Sequence, residues 1–404
     1  MPTPSPAGAR PAPRPPTRSR AVRCAIVAAL VATACASGLT PVAAADRTGD
    51  QSPRDPALQR QLQDLVTAPG GPPGAIAVLQ RDGHREVYRA GVAEIGSRRP
   101  PGIDDHMRVA SVAKAYSGAV ALSLVDRRAL ALDDTIGRRL PNLPEDWHAV
   151  TLRQLLNHTS GLPDYSADPG FLEVITTDPR HHFDSRRLLD FVVDEDLRFE
   201  PGSRYHYSNS DNIAVALMAE QATGRRYEEL LGELVYRPLG LRETSLPQGY
   251  RLPEPFLHGY AVAPGATPED VSETFSASGA WASGGIVSTP RELNSFIRGY
   301  AGPELLSEQT RRRQQRFVPG GASEPAGPGA NDAGLGIFRY TTRCGAVLGH
   351  TGNTAGYTQF AASTPDGRRS VTVSVTSQVP LDPELLARLR ATEEDFVCRL
   401  LGKP

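Results

Sequence analysis

Lysine is almost missing from this chain. Of its 44 lysine and arginine residues only two, Lys114 and Lys403, are lysines. Arginine keeps its proton above pH 12, whereas a lysine in a desolvated pocket can lose its proton and act as a base, so each amine retained against this bias is informative. Cysteine is scarce as well, with four residues. Past the first 45 residues no segment reaches eighteen consecutive apolar residues, so the rest of the chain is expected to be soluble, without a transmembrane anchor. Positive charge in excess is also lacking: the formal net charge is -1, and no basic footprint for nucleic acid is visible. We find no internal repeat.

What the chain does have begins with a tripartite leader. Residues 1–23 carry five arginines and no acid, an apolar run spans Ala25–Ala36, and "VAAAD" offers a small-residue cleavage site near Ala45. This reads as a secretory signal peptide over residues 1–45, its apolar run too short to cross a bilayer comfortably. The expected location is extracytoplasmic. A lipoprotein anchor at Cys35 is the lesser alternative, because Ala32 stands where an aliphatic residue is usual. Removing the leader takes away five positive charges and moves the net charge from -1 to -6. It also leaves two cysteines, Cys344 and Cys398, and in an exported chain an isolated pair reads as one disulfide.

The 404 residues allow two or three units of ordinary size. A polar tether over residues 46–56 is expected to precede a helix with apolar spacing at Leu58, Leu62 and Leu65. "AIAVLQ" and "EVYRAGVAEI" flank an Asp82-Gly83 turn and read as a hairpin. Near the other end "GAVLGH", "GYTQFAAS" and "SVTVSVTS" read as strands, and a last helix is expected from about Leu381 to Leu401. Strands at both ends with helices between predict an α/β (α+β) architecture: one antiparallel sheet with terminal helices and an inserted helical region. The α/β part is placed at about 56–115 and 281–404, the helical part at about 116–280. In the middle, "TLRQLLNHTSGLP" is a short helix, "SNSDNIAVALMAEQATG" a longer one, and "STPREL" a capping box at a helix start. "RRRQQR" from Arg311 reads as a solvated charged face.

Ser111 precedes "VAKAYSGAVALSLV", a run apolar on nearly every side apart from Lys114 and a few hydroxyls, which predicts a buried helix. Three residues of separation put Ser111 and Lys114 on one face, one turn apart. The serine stands at the helix start, where free N–H groups and the dipole favour a developing oxyanion. Alone, S-x-x-K is a weak pattern; an ammonium in an apolar helix, costly unless paired, sharpens it. "RYHYSNSDN" places Tyr207, Ser208 and Asn209 ahead of another helix, and "LGHTGNTAGY" ends a strand on His350, Thr351 and Gly352. Either could be a cap or a turn when read by itself.

Taken together, "SVAK", "YSN" and "HTG" resemble the three motifs of the penicillin-recognising serine hydrolases: class C β-lactamases, soluble actinomycete-type D-alanyl-D-alanine carboxypeptidases and related esterases. "LLNHTSGL", "FEPGSRYHYSN", "TGRRYEELLGELVYRPLGL" and "ASGAWASGGIVSTPREL" are similar to family segments too, and the likeness runs from about Pro56 to Lys403. It implies the β-lactamase/transpeptidase-like fold, with Ser111 as acylated nucleophile, Lys114 as its proton partner, and Tyr207 as general base or proton shuttle. Asn209 would hold the substrate amide, and His350, Thr351 and Gly352 would line the site, His350 replacing a lysine common in the third motif. Ser111 and Asn353 would supply the oxyanion N–H groups. Arg339, on the strand before the third motif, is the approximate counterpart of an arginine that binds a substrate carboxylate. His158 falls in a helix-ending turn and reads as structural, and the adjacent His181 and His182 lack the spacing of a metal site. No cofactor is implied.

The resemblance implies an exported enzyme acting by a Ser111 acyl-enzyme, foremost a D-alanyl-D-alanine carboxypeptidase on peptidoglycan stem peptides, with β-lactams as covalent ligands. An esterase or D-amino-acid amidase of the same fold is the alternative, then a β-lactamase. The non-enzyme alternative is a receptor for cell-wall peptides or β-lactams, for which a damaged Ser/Lys/Tyr set would be the mark.

Overall fold

The computed structural model describes residues 55–263, 265–379 and 383–403. The expected leader, Cys35 and all but the end of the tether lie outside the described residues. The first helix, α1 (Pro56–Thr67), starts where the sequence places it, because Asp55 caps it: the carboxylate accepts the Ala57 and Leu58 N–H groups at 2.9 and 3.4 Å. Its three leucines are buried. Strands β1 (Gly74–Arg81) and β2 (His84–Gly91) form the hairpin, with both Asp82 and Gly83 at positive φ, as a two-residue turn of the right twist requires.

The sheet is completed from the far end of the chain by β3 (Val318–Pro319), β4 (Ala330–Ala333), β5 (Phe338–Thr342), β6 (Gly345–Thr354), β7 (Tyr357–Ser363) and β8 (Arg369–Val375). The order is β2-β1-β8-β7-β6-β5-β4-β3, antiparallel throughout. The first and last strands in sequence are neighbours, Ala75 facing Val375. The principal helices after α1 are α2 (Ala113–Asp126), α3 (Leu152–Leu156), α4 (Pro169–Thr177), α5 (Asn209–Thr223), α6 (Pro290–Ala301), α7 (Glu308–Gln314) and α8 (Pro383–Leu401).

Alternation along β1 divides the core. Ala75, Ala77 and Leu79 pack with Leu58, Leu62, Phe396 and Leu400 of α1 and α8, while Ile76 and Val78 share the larger core with Leu293, Phe296 and the residues of α2. Buried on both faces, the strand reads as a near-continuous apolar run. Cys344, between β5 and β6, is bonded to Cys398 of α8, so the expected disulfide is present. Among the described residues no helix is long and apolar enough to cross a membrane.

Two local expectations need amendment. The capping box before α6 is half made: Thr289 accepts the Glu292 N–H at 3.2 Å, but the Glu292 carboxylate turns away to take the Arg242 and Glu243 N–H groups and the Thr244 hydroxyl. It ties a distant loop instead of its own helix. The charged run from Arg311 is solvated on one side only, since Arg312 is exposed beside Glu308 while Gln314 is fully buried.

Candidate active site

The run behind Ser111 is a helix on every count: in α2 all residues but Val125 and Asp126 are buried. Ser111 itself sits in the single turn of 3-10 helix, Ala110–Val112, that leads into α2, and Ala110 has a φ of 49°. A non-glycine residue at such a φ is strained, and strain of this kind gathers at functional sites.

Lys114 is fully buried. Its Nζ lies 2.6 Å from Asn209 Oδ1, 2.9 Å from the Ser283 carbonyl oxygen and 3.2 Å from Ser111 Oγ. Burial pulls its pKa down from 10.5 to about 7, the nearby Asp164 opposing. A neutral amine has two N–H donors and one lone pair. Asn209 Oδ1 and the Ser283 carbonyl can only accept, so they take both donors and leave the lone pair for the Ser111 hydroxyl proton.

Tyr207 completes the group, with the Lys114 Nζ 4.9 Å from its ring centre. Its hydroxyl is buried and has no well-formed hydrogen bond among the described residues, although the Ser111 hydroxyl beside it works to lower the phenol pKa. Burial outweighs that contact and raises the pKa well above 10.0, so the phenol keeps its proton.

Asn209 opens α5, yet Ser208 before it makes no capping bond. The cap comes from another segment: Asp164 Oδ2 accepts the Asn209 backbone N–H at 3.1 Å and its side-chain amide at 3.0 Å, and Ser166 Oγ takes the second amide proton at 2.8 Å. With Oδ1 on Lys114, the Asn209 amide is committed to holding the lysine rather than free to donate to a substrate. Asp164, Ser166 and Ser283 were not singled out from the sequence. The Asp at the head of "DYSA" was the one available signal, as a capping residue.

His158 is structural with a specific task. It adopts a φ of 57°, its Nδ1 lies 2.7 Å from Asp211 Oδ2, and its ring stands 4.6 Å from that of Tyr207. Asp211 also receives the Ser160 hydroxyl. Burial favours the neutral form of both partners, holding His158 down to about 3 and raising Asp211.

The third motif packs against the nucleophile turn through Gly352. A Cβ there would lie 2.4 Å from the Val109 carbonyl oxygen and 3.1 Å from the Ser111 nitrogen, so only glycine allows the approach. Pairing of β6 with β5 ends at Gly349, so beyond that point this edge of β6 has no strand partner among the described residues. His350 Nδ1 lies 2.5 Å from the Thr351 carbonyl oxygen, and burial pushes the ring pKa down to about 3. It is neutral and does not replace the charge of a lysine. Thr351 donates to the Pro325 carbonyl oxygen at 2.6 Å.

A cavity of about 370 Å³ opens over Ser111, bounded by Asn209, Ser283 and the Asn353–Ala355 end of β6. His350 and Thr351 lie outside its wall, and so does Arg339. The Arg339 guanidinium is 2.6 Å from Asp332 Oδ2 and stacks on Phe317, so a carboxylate on the neighbouring strand holds it. A larger concavity, about 520 Å³ and lined by arginines such as Arg128 and Arg313, contains none of these groups. No cluster of potential metal ligands occurs among the described residues, and His181 and His182 face Asp178 and the Gln248 carbonyl separately.

Comparison with known proteins agrees with this geometry. The family described as Beta-lactamase matches residues 60–394. The chain is 26% identical over 309 residues to "Penicillin-binding protein 4*" of Bacillus subtilis (strain 168), covering 73% of this chain and 66% of that one, just under two thirds of its length. It is 26% identical over 364 residues to "D-alanyl-D-alanine-carboxypeptidase/endopeptidase AmpH" of Escherichia coli (strain K12), covering 85% and 90%. Among solved structures, a D-stereospecific amidohydrolase from Streptomyces sp. superposes with a TM-score of 0.72 at 29% identity, over 83% of this chain and 98% of that one. With a match across most of its length, a buried lysine hydrogen-bonded to a serine one turn away and the sheet that frames them, the chain belongs to the beta-lactamase family and is a serine hydrolase of that fold.

Proposed function

We propose that the chain hydrolyses amide or ester bonds of peptide-like substrates containing D-amino acids, through an acyl-enzyme on Ser111. The observation that carries this reading is the bonding of Lys114: two acceptors fix its donors and leave its lone pair on Ser111 Oγ. In acylation the Ser111 proton passes to the Lys114 amine as Oγ bonds to the substrate carbonyl carbon. The oxyanion forms opposite the backbone N–H groups of Ser111 and Asn353, every second N–H of β6 pointing to the open edge. The Tyr207 phenol, still protonated, hands its proton to the leaving nitrogen and recovers one from the Lys114 ammonium. Water then cleaves the ester, with the same amine as base.

The engagement of Arg339 by Asp332 favours an amidase or esterase over a carboxypeptidase, because the guanidinium expected to bind a terminal carboxylate is occupied. Carboxypeptidase action on peptidoglycan stem peptides is the second reading, supported by the likeness to AmpH. The leader-like pattern of residues 1–45 and the disulfide support an extracytoplasmic site of action. Intact-mass analysis after exposure to penicillin and to a fluorophosphonate tests the chemistry: both are expected to add one equivalent at Ser111. A persistent penicillin adduct fits an amidase or carboxypeptidase, its loss within minutes fits a β-lactamase, and absence of both adducts overturns the reading.

A further inference from the structure

The part of the cavity away from Lys114 is built from apolar side chains. Phe171 and Ile175 come from α4, Pro179 and Phe183 from the segment after it, and Phe275 from the opposite loop. The rings are organised against one another, with Phe171 to Phe183 at 5.1 Å and Phe171 to Tyr165 at 5.1 Å. The one charged residue in the wall is Arg108, and it is only 6% exposed. Its Nε and Nη2 donors go to the carbonyl oxygens of Ser272, Tyr250 and Phe275, so it clamps the loop that brings Phe275 into place.

A second observation comes from α4 itself. Its sequence, PGFLEVITT, carries one charge, and apolar residues occupy four of the five positions from Phe171 to Ile175. Only Phe171 of these is buried, and Leu172 is one of just two large hydrophobic residues that stand exposed among the described residues, at 42%. Leu172 stands outside the cavity wall and Ile175, half-buried, lines it, so α4 brings a partly exposed apolar edge to the cavity rim that a ligand would cover.

Resting on the Ser111 reading above, we infer that this wall is the acyl-side-chain subsite, and that the substrate carries a large apolar, uncharged group there, best an aromatic ring. An alanine methyl would leave the pocket unfilled, and a carboxylate would be desolvated among apolar side chains, where the one cation in the wall, Arg108, already spends its Nε and Nη2 donors on backbone carbonyl oxygens.

The test uses p-nitrophenyl esters of N-acetylated phenylalanine, alanine and aspartate, each as D and L enantiomer. In the hydrolysed enantiomer, kcat/KM for phenylalanine is expected to exceed that for alanine by at least about tenfold, with aspartate below alanine. Alanine equal to or better than phenylalanine, or aspartate equal to phenylalanine, overturns the inference. So does absence of turnover on all six esters by a protein that a fluorophosphonate still labels. Ile175→Arg, at the half-buried rim, is expected to lower the phenylalanine-to-alanine ratio and to raise the aspartate-to-alanine ratio about tenfold. Unchanged ratios in a folded, fluorophosphonate-reactive variant remove the subsite from α4. Failure of the nucleophile reading is separate: Ser111→Ala would then still hydrolyse esters, whatever the side-chain preference.

Discussion

Lys114 is where a single residue decides the chemistry. A folded-state pKa near 7 against about 10.4 for an unfolded lysine means that the amine is half neutral at neutral pH. Acylation is therefore expected to rise with pH, with a midpoint near 7 and a plateau above it, measurable by stopped-flow with an activated ester. The same shift has a sign for stability. Between about pH 7 and 10 the unfolded chain binds the proton and the native one does not, so this group's contribution rises with pH across that window. Lys114→Arg keeps a charge but cannot give up its proton, and Lys114→Met keeps neither charge nor lone pair. Both are expected to slow acylation by orders of magnitude while circular dichroism stays native. Near-normal acylation in folded Lys114→Arg removes the amine from proton transfer. The sequence made Ser111 and Lys114 visible because their relation is local, one helical turn. Asp164 and Ser283 escaped because they reach Lys114 and Asn209 only through tertiary packing, 45 and 169 residues away. The partner of Arg339 was hidden for the same reason, since Asp332 faces it from the adjacent strand.

At the scale of elements, the contact of β6 with the nucleophile turn is the most demanding fit. Gly352→Ala places a methyl group 2.4 Å from the Val109 carbonyl oxygen, and neither backbone can yield without moving Ser111 or breaking the pairing with Gln359. A loss of about 1–3 kcal/mol is expected, together with loss of acylation even at temperatures where the variant remains folded. Denaturant melts read the first and active-site titration the second; a variant with normal titration would show that the close approach is incidental. The strands and helices themselves were legible where chemistry marks their ends. The Asp82-Gly83 turn and Gly224 after α5 act within a few residues of the element they bound, whereas the Asp55 cap of α1 lay inside the expected tether and was not read as one. The caps that failed are those made at long range. Asp164 replaces Ser208 at the head of α5, and Glu292 leaves α6 to bind the 242–244 loop.

For the whole molecule, the main sheet with inserted helices followed from strand-like runs at both ends of the sequence, whereas the order of its eight strands did not, since alternation gives the face of a strand and not its neighbour. The disulfide belongs to this scale. Cys344 and Cys398 join the β5–β6 turn to α8 across 54 residues, away from the residues that surround Ser111. Reduction is expected to lower stability by roughly 4 kcal/mol on the chain-entropy account and to leave the acylation rate of the folded protein unchanged. Urea melts with and without reductant, beside active-site titration, measure the pair. A reduced protein that melts unchanged would mean that the helix holds its place by packing alone.

The pairing of β1 with β8 also sets an order of events. The N-terminal hairpin is made early in synthesis, but the strand that covers its inner edge is nearly 300 residues downstream, at Arg369–Val375. Contacts so distant in sequence close slowly, because the entropy of a very large loop is lost before any reward arrives. A ribosome must therefore deliver the chain through Val375 before the sheet can close, and until then β1 offers an unpaired apolar edge to whatever it meets. Maturation of this enzyme is expected to depend on a chaperone or on a transport route that keeps the growing chain extended.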